Sequence, residues 1–187
     1  MEITGQVLSI IGALLCILSF QIKRNKPYFI TQIAAGMCFA TSYIFFGALS
    51  ASLLNAVNVI RCLILTSRKI KKDGIYLIIL IFTYALCGLL GILVFDLPDG
   101  VNATVFTVAV ILTTLANIAA TFSFWTRDGK KIRIVQASIV SPSWIFNNCV
   151  VGSYGGVACE VFNMISIIVS FIRYGVNGFE RANGDNA

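Results

Sequence analysis

Seven apolar runs follow one another through the chain with only short links between them, and this succession decides what the chain can become. The runs cover roughly residues 7–22, 28–46, 51–66, 74–95, 101–125, 134–151 and 157–174. About 20 residues at a rise of 1.5 Å each cover the ~30 Å hydrocarbon core of a bilayer, so runs of this length predict transmembrane helices. Composition agrees: 58% of the 187 residues are hydrophobic and 12% are charged, against about 45–50% apolar in soluble domains. The expected fold class is all-α, a polytopic membrane protein with seven transmembrane helices whose surroundings are the lipid bilayer. The first run follows only Glu2 as a charge. It lacks the basic start and small-residue cleavage site of a signal peptide and reads as a retained helix.

Charge placement orients these helices. The links after runs one, three and five and the tail after run seven hold three, four, four and two Lys or Arg, thirteen of the fourteen, the exception being Arg61. The opposite links and the N-terminus hold only Glu2, Asp96 and Asp99. The positive-inside rule then predicts an outside N-terminus and a cytoplasmic C-terminus. The net charge of +6 is accounted for by this topology, and no nucleic-acid partner is expected.

The first and last thirds repeat one plan. Ser19, Phe20, Lys26 and Gln32 match Ser123, Phe124, Lys130 and Gln136 at an offset of 104, and Gly47, Asn58 and Arg68 match Gly152, Asn163 and Arg173 at 105. One residue inserted in the second helix of the later unit reconciles the two offsets. Short links at Gly47 and at Gly152 to Gly156 force antiparallel neighbours. The expected organisation is a three-helix repeat over 1–67, then a basic loop, linker helix and acidic turn over 68–100. A second three-helix repeat follows over 101–176, and a polar cytoplasmic tail over 177–187. A unit with an odd number of helices, repeated directly, would be inverted in the membrane; the bland fourth helix restores parallel copies.

Polar residues inside the apolar runs mark where a site can be. Asn55, Asn58, Trp144, Asn148, Glu160 and Asn163 are the candidate substrate-binding residues. Asn55 with Asn58 and Glu160 with Asn163 each stack at i, i+3 on one helix face. A charge at mid-helix costs on the order of 2.5–3.5 kcal/mol on insertion scales, so Glu160 calls for a partner, a proton or water. Thr113, Asn117 and Thr121 recur every four residues and predict one inward face. Other readings stay open: asparagines also serve as interhelical glue, Trp144 as a packing aromatic, Arg61 as a snorkelling cation. Pro142 predicts a kink or hinge in the sixth helix, and the glycines from 152 to 156 a close helix approach.

Two stretches carry a family resemblance. Leu54-Asn55-Ala56 running on to Arg61, and Trp144-x-x-x-Asn148-x-x-x-Gly152-Ser153-x-Gly155-Gly156-x-x-x-Glu160, resemble the YgjV family of bacterial inner-membrane proteins. The three-plus-one-plus-three plan is similar to the SWEET sugar transporters and PnuC vitamin transporters. The SWEET likeness implies a solute site between the third helices of the repeats, at Asn58 and Asn163. Asn55 facing Glu160 across the repeats departs from a simple sugar uniporter.

The candidate function is transport or facilitated passage of a small polar solute, sugar-, nucleoside- or vitamin-like, through a midplane site between the repeats. The alternative is a structural or partner-binding membrane protein, and a homo-oligomer stays open. The chain has no histidine, and the six cysteines all sit in apolar runs, with no carboxylate pair or Cys/His or Ser/His arrangement. No catalytic site, metal or cofactor is therefore expected.

Overall fold

A computed structural model describes residues 2–45, 49–66, 74–94, 101–150, 154–176 and 178–179, without the side chains of Glu2, Tyr154 and Gly155. Every regular element among these residues is a helix. Helices α1 (Glu2–Ser19), α2 (Asn25–Phe45), α3 (Leu49–Thr66), α4 (Gly74–Leu93) and α5 (Ala103–Trp125) follow the first five runs. The sixth run is a continuous rod in three parts: α6 (Gly129–Val135), a π-helical segment (Gln136–Val140) and α7 (Ser141–Val150). Helix α8 (Tyr154–Tyr174) is the seventh. Five helices, α2 to α5 and α8, are long and apolar enough to cross a membrane, and α1 is a shorter apolar helix over Ile3–Ser19. The turns expected at Gly47, at Asp96 to Gly100 and at Gly152 and Ser153, the basic link 67–73 and the tail beyond residue 179 lie outside the described residues.

Helix starts follow local chemistry. Asn102 caps α5 by accepting from the Thr104 and Val105 amides at 2.9 and 3.4 Å. Asp128 does the same for α6 with Lys130 and Lys131 at 2.9 and 3.3 Å, satisfying amides that have no intrahelical partner. The link expected to run on to Arg133 is thereby shortened, because the cap starts the helix at Gly129. Pro27 sits in the first turn of α2, where a missing N–H costs nothing.

Pro142 acts through the π segment ahead of it. Its ring carries no N–H and crowds the preceding turn. The chain widens there, and the Ser141 amide reaches back five residues to the Gln136 carbonyl. A single π turn of this kind is how a helix accommodates one residue more than its regular pitch allows.

Packing follows the same order in both halves. Helix α2 packs against α1 and α3, and the α6–α7 rod packs against α5 and α8. Across the halves, α1 meets α8 and α3 meets α5. Helix α4 bridges α3 and α5 with a narrow stripe of Leu80, Tyr84, Cys87, Gly88 and Gly91, while Ile78, Phe82, Leu89 and Leu93 face outward. This refines the expectation of a bland linker: most of α4 is lipid-facing, and one stripe fits small residues against α5. A Cβ on Gly88 would collide with Thr114, so the close approach requires glycine.

Two buried clusters fill the interior. One gathers Tyr43, Leu54, Val57, Leu80, Tyr84, Ala116, Val140 and Trp144. The other holds four aromatic rings, Phe20, Tyr28, Phe29 and Phe124, with centroids 5.4–5.9 Å apart. These separations and tilts are the preferred geometry of aromatic pairs.

Candidate functional site

Between the two clusters lies a cavity of about 70 Å³, walled by residues of α1, α2, α3, α5, the α6–α7 rod and α8. Five of the six candidate residues, Asn55, Asn58, Trp144, Asn148 and Glu160, are on its wall. Asn163 is not. It is fully buried behind Glu160, donating from Nδ2 to the Glu160 carboxylate at 3.4 Å and to Cys159 Sγ at 3.8 Å, with its Oδ1 unpartnered. Glu160 itself is half-buried. The Ser141 hydroxyl, buried and without a hydrogen-bond partner, is beside it.

The end of the cavity toward the α2–α3 and α7–α8 links is built from rings and an amide. Trp144 stacks on Tyr43 at 6.4 Å, and Tyr43 stacks on Phe39 at 6.3 Å. The Tyr43 hydroxyl donates to Asn148 Oδ1 at 3.5 Å. Gly156 explains how α8 fits so closely: a Cβ there would stand 2.6 Å from Asn148 Cγ. The expected close approach of glycine is thus found at Gly156. Gly36 does the same for α2 against α3, where a Cβ would come within 2.8 Å of Val59. Phe124, part of the four-ring cluster, also lines the cavity.

Arg61 departs most from what its position suggested. It does not snorkel. It is 3% exposed and on the cavity wall. Its Nη1 donates to the Asn117 carbonyl at 3.3 Å and to Thr121 Oγ1 at 3.1 Å, and its Nη2 to Asn58 Oδ1. The guanidinium lies 4.2 Å from the Phe124 ring centroid and 5.7 Å from that of Tyr84, the cation–π geometry that replaces water around a buried cation. Thr113, Asn117 and Thr121 form the expected inward face of α5, all buried, and two of them are what hold Arg61.

Gln32, Gln136, Tyr43 and Cys16 also line the cavity and were not singled out as site residues. A signal for the two glutamines was present, because Gln32 and Gln136 match between the halves. Gln32 is held by Ser19, donating to its hydroxyl at 2.7 Å.

The bacterial inner-membrane family model Imp-YgjV matches residues 3–177, which is nearly the whole chain and every wall of the cavity. The chain belongs to this family. The Imp-YgjV match makes it a bacterial inner membrane protein, and the apolar helices supply the means of spanning. Trp144, Asn148, Gly156 and Glu160, from the stretch that carried the resemblance, lie within the matched residues and line the cavity. Neither the curated proteins nor the solved structures yield a significant match. No group of three or more metal-ligating side chains occurs among the described residues.

Proposed function

We propose that the chain is a carrier or facilitator of a small polar solute, which it binds in the cavity between two parallel three-helix units, and that it is not an enzyme. The observation that supports this reading is the cavity itself. In a bundle held together only by helix glue, polar side chains would meet one another in a filled centre. Here Asn55, Asn58, Asn148, Gln136 and Glu160 share an open space of about 70 Å³. Ligand clefts typically measure ~300–1,000 Å³. The present cavity is smaller, with the stacked Tyr43 and Trp144 and the Phe124 ring on its wall.

The two-unit arrangement is supported by how wall positions pair. Gln32 and Gln136 differ by 104, whereas Phe39 and Trp144, Tyr43 and Asn148, and Asn55 and Glu160 all differ by 105. All eight line the cavity. The π segment 136–140 lies in the interval where the offset changes, so it is a natural place for the inserted residue. The exchange of contacts, α1 with α8 and α3 with α5, is the packing that a twofold relation between units requires.

The test is ligand-dependent thermal stabilisation of the purified protein across sugars, nucleosides, vitamins and amino acids, comparing wild type with Trp144→Ala. A solute that raises Tm in wild type and not in the variant supports the carrier. Absence of any solute effect, with Trp144→Ala merely lowering Tm, would establish the structural, partner-binding reading instead.

A further inference from the structure

The cavity wall carries two ionisable side chains of opposite sign, Arg61 and Glu160. Each stands where the matching position of the other half is neutral. Glu160 lies 105 residues after Asn55, and Arg61 lies 105 residues before Ser166. Arg61 and Ser166 make corresponding contacts between the halves: Arg61 bonds Thr121, and the Ser166 hydroxyl donates to the Ile17 carbonyl at 2.8 Å, Ile17 and Thr121 being 104 apart. Only the arginine also reaches the cavity wall.

Neither charge has an ion-pair partner among the described residues. The hydrogen-bond partners of Arg61 among the described residues are all neutral oxygens, and its Nε is buried with no partner. An Nε–H and one Nη2–H are left without partners, the Nε–H enclosed in the protein, so the guanidinium on the cavity wall keeps its charge and donor capacity for a carboxylate or similar oxyanion. Glu160 receives one long bond from Asn163 at 3.4 Å, has the Ser141 hydroxyl beside it, and otherwise borders the cavity, so its neighbours are neutral. A buried charge without a partner of opposite sign becomes a candidate for a ligand where it borders a cavity, as these two do and Arg133 does not. On the repeat reading α3 and α8 run in the same direction, and Glu160 stands six residues before Ser166, the counterpart of Arg61, which is about 9 Å along the helix axis.

We propose that the cavity is an amphoteric site for a small zwitterion, with Arg61 holding its anionic group and Glu160 its cationic group. The assignment rests on the carrier reading and narrows its substrate class. Because the two poles come from different halves, the solute lies in one orientation only, with its charges separated along the membrane normal. The asparagines and glutamines between them serve the neutral middle of the molecule.

A matched four-carbon set tests this on the purified wild-type protein: 4-aminobutyrate, butyrate, butylamine and 1,4-butanediol, read by thermal unfolding, with glycine, acetate and methylamine as the short set. The zwitterion of at least one set should raise Tm at concentrations where its single-charge and neutral analogues do not. Arg61→Gln should weaken the zwitterion's binding by about 30-fold or more, and Glu160→Gln should make the zwitterion and its plain carboxylate bind alike. If 1,4-butanediol stabilises as well as 4-aminobutyrate, the charge assignment is overturned while the carrier reading stands. If no member of either set stabilises the protein, the zwitterion site is overturned, and the carrier reading is then decided by the wider solute panel. The wild-type comparison holds whether or not either variant folds.

Discussion

Tyr43 donates its hydroxyl to Asn148 at 3.5 Å, joining the two halves of the bundle through residues 105 positions apart. The bond is long, and the same tyrosine is also held by stacking between Phe39 and Trp144. Ring packing therefore dominates this contact. Tyr43→Phe should keep both stacks and lose only the hydrogen bond, lowering unfolding free energy by about 0.6 kcal/mol, the mean for interhelical bonds in membranes. Equilibrium unfolding in mixed micelles measures it. A loss several times larger would mean that the hydroxyl organises Asn148 beyond this one bond.

Gly156→Ala is expected to be far more damaging. The new methyl would stand 2.6–2.7 Å from three atoms of the Asn148 amide, and overpacking of this kind costs about 1–3 kcal/mol. Gly74→Ala, with nothing within 4 Å of the added Cβ, is the matched control and should leave Tm unchanged or slightly raised.

Arg133 should prove structural. It is 1% exposed, and it donates to the carbonyls of Phe20, Ile22 and Gly129 at 3.0, 2.7 and 3.1 Å while lying 3.9 Å from the Phe179 ring centroid. The hydrogen bonds tie the end of α1 to the start of α6, and the ring contact adds the segment after α8. Arg133→Ala should cost about 2 kcal/mol or more through orphaned carbonyls. Arg133→Lys should recover little, since one ammonium cannot serve three separated carbonyls from a planar fork. Thermal unfolding of both variants decides it, and full recovery by lysine would show that charge alone matters.

The membrane orientation is open to direct measurement. With thirteen of fourteen Lys and Arg assigned to one side, a reporter fused after Ala187 should be active in the cytoplasm, and one inserted between Asp96 and Gly100 should read outside. The opposite pattern would overturn both the orientation and the depth assigned to each pole of the cavity.

The helices were legible in the sequence because bilayer thickness imposes a length on each apolar run, although their ends shift by up to five residues, as at α1, which covers Glu2–Ser19 against an expected 7–22. The inward face of α5 was legible for a similar reason: a four-residue spacing of Thr113, Asn117 and Thr121 has one geometric meaning. Arg61 was not. Its distance from the helix end permits snorkelling, and only the tertiary arrangement, which brings Asn117, Thr121 and Phe124 around it, turns it inward. Asn163 misled in the opposite sense. Sharing a face with Glu160 places it beside the carboxylate, yet its side chain is fully buried and is not on the cavity wall. Periodicity fixes a side chain's direction to within a turn, whereas cavity lining depends on a few ångströms of helix approach.

The π turn at Gln136–Val140 acts as a phase correction. An extra residue in a regular α-helix would rotate everything after it by about 100° and advance it by 1.5 Å. Absorbed in one wide turn, the extra residue leaves the far part of the rod in phase with the near part. Gln136 and Val140 from the widened turn and Trp144 and Asn148 beyond it consequently face the same space, although they straddle a helical irregularity. A chain with the same side chains and a regular pitch at that point would direct the indole and the amide toward lipid or a neighbouring helix, and the cavity would lose its aromatic end.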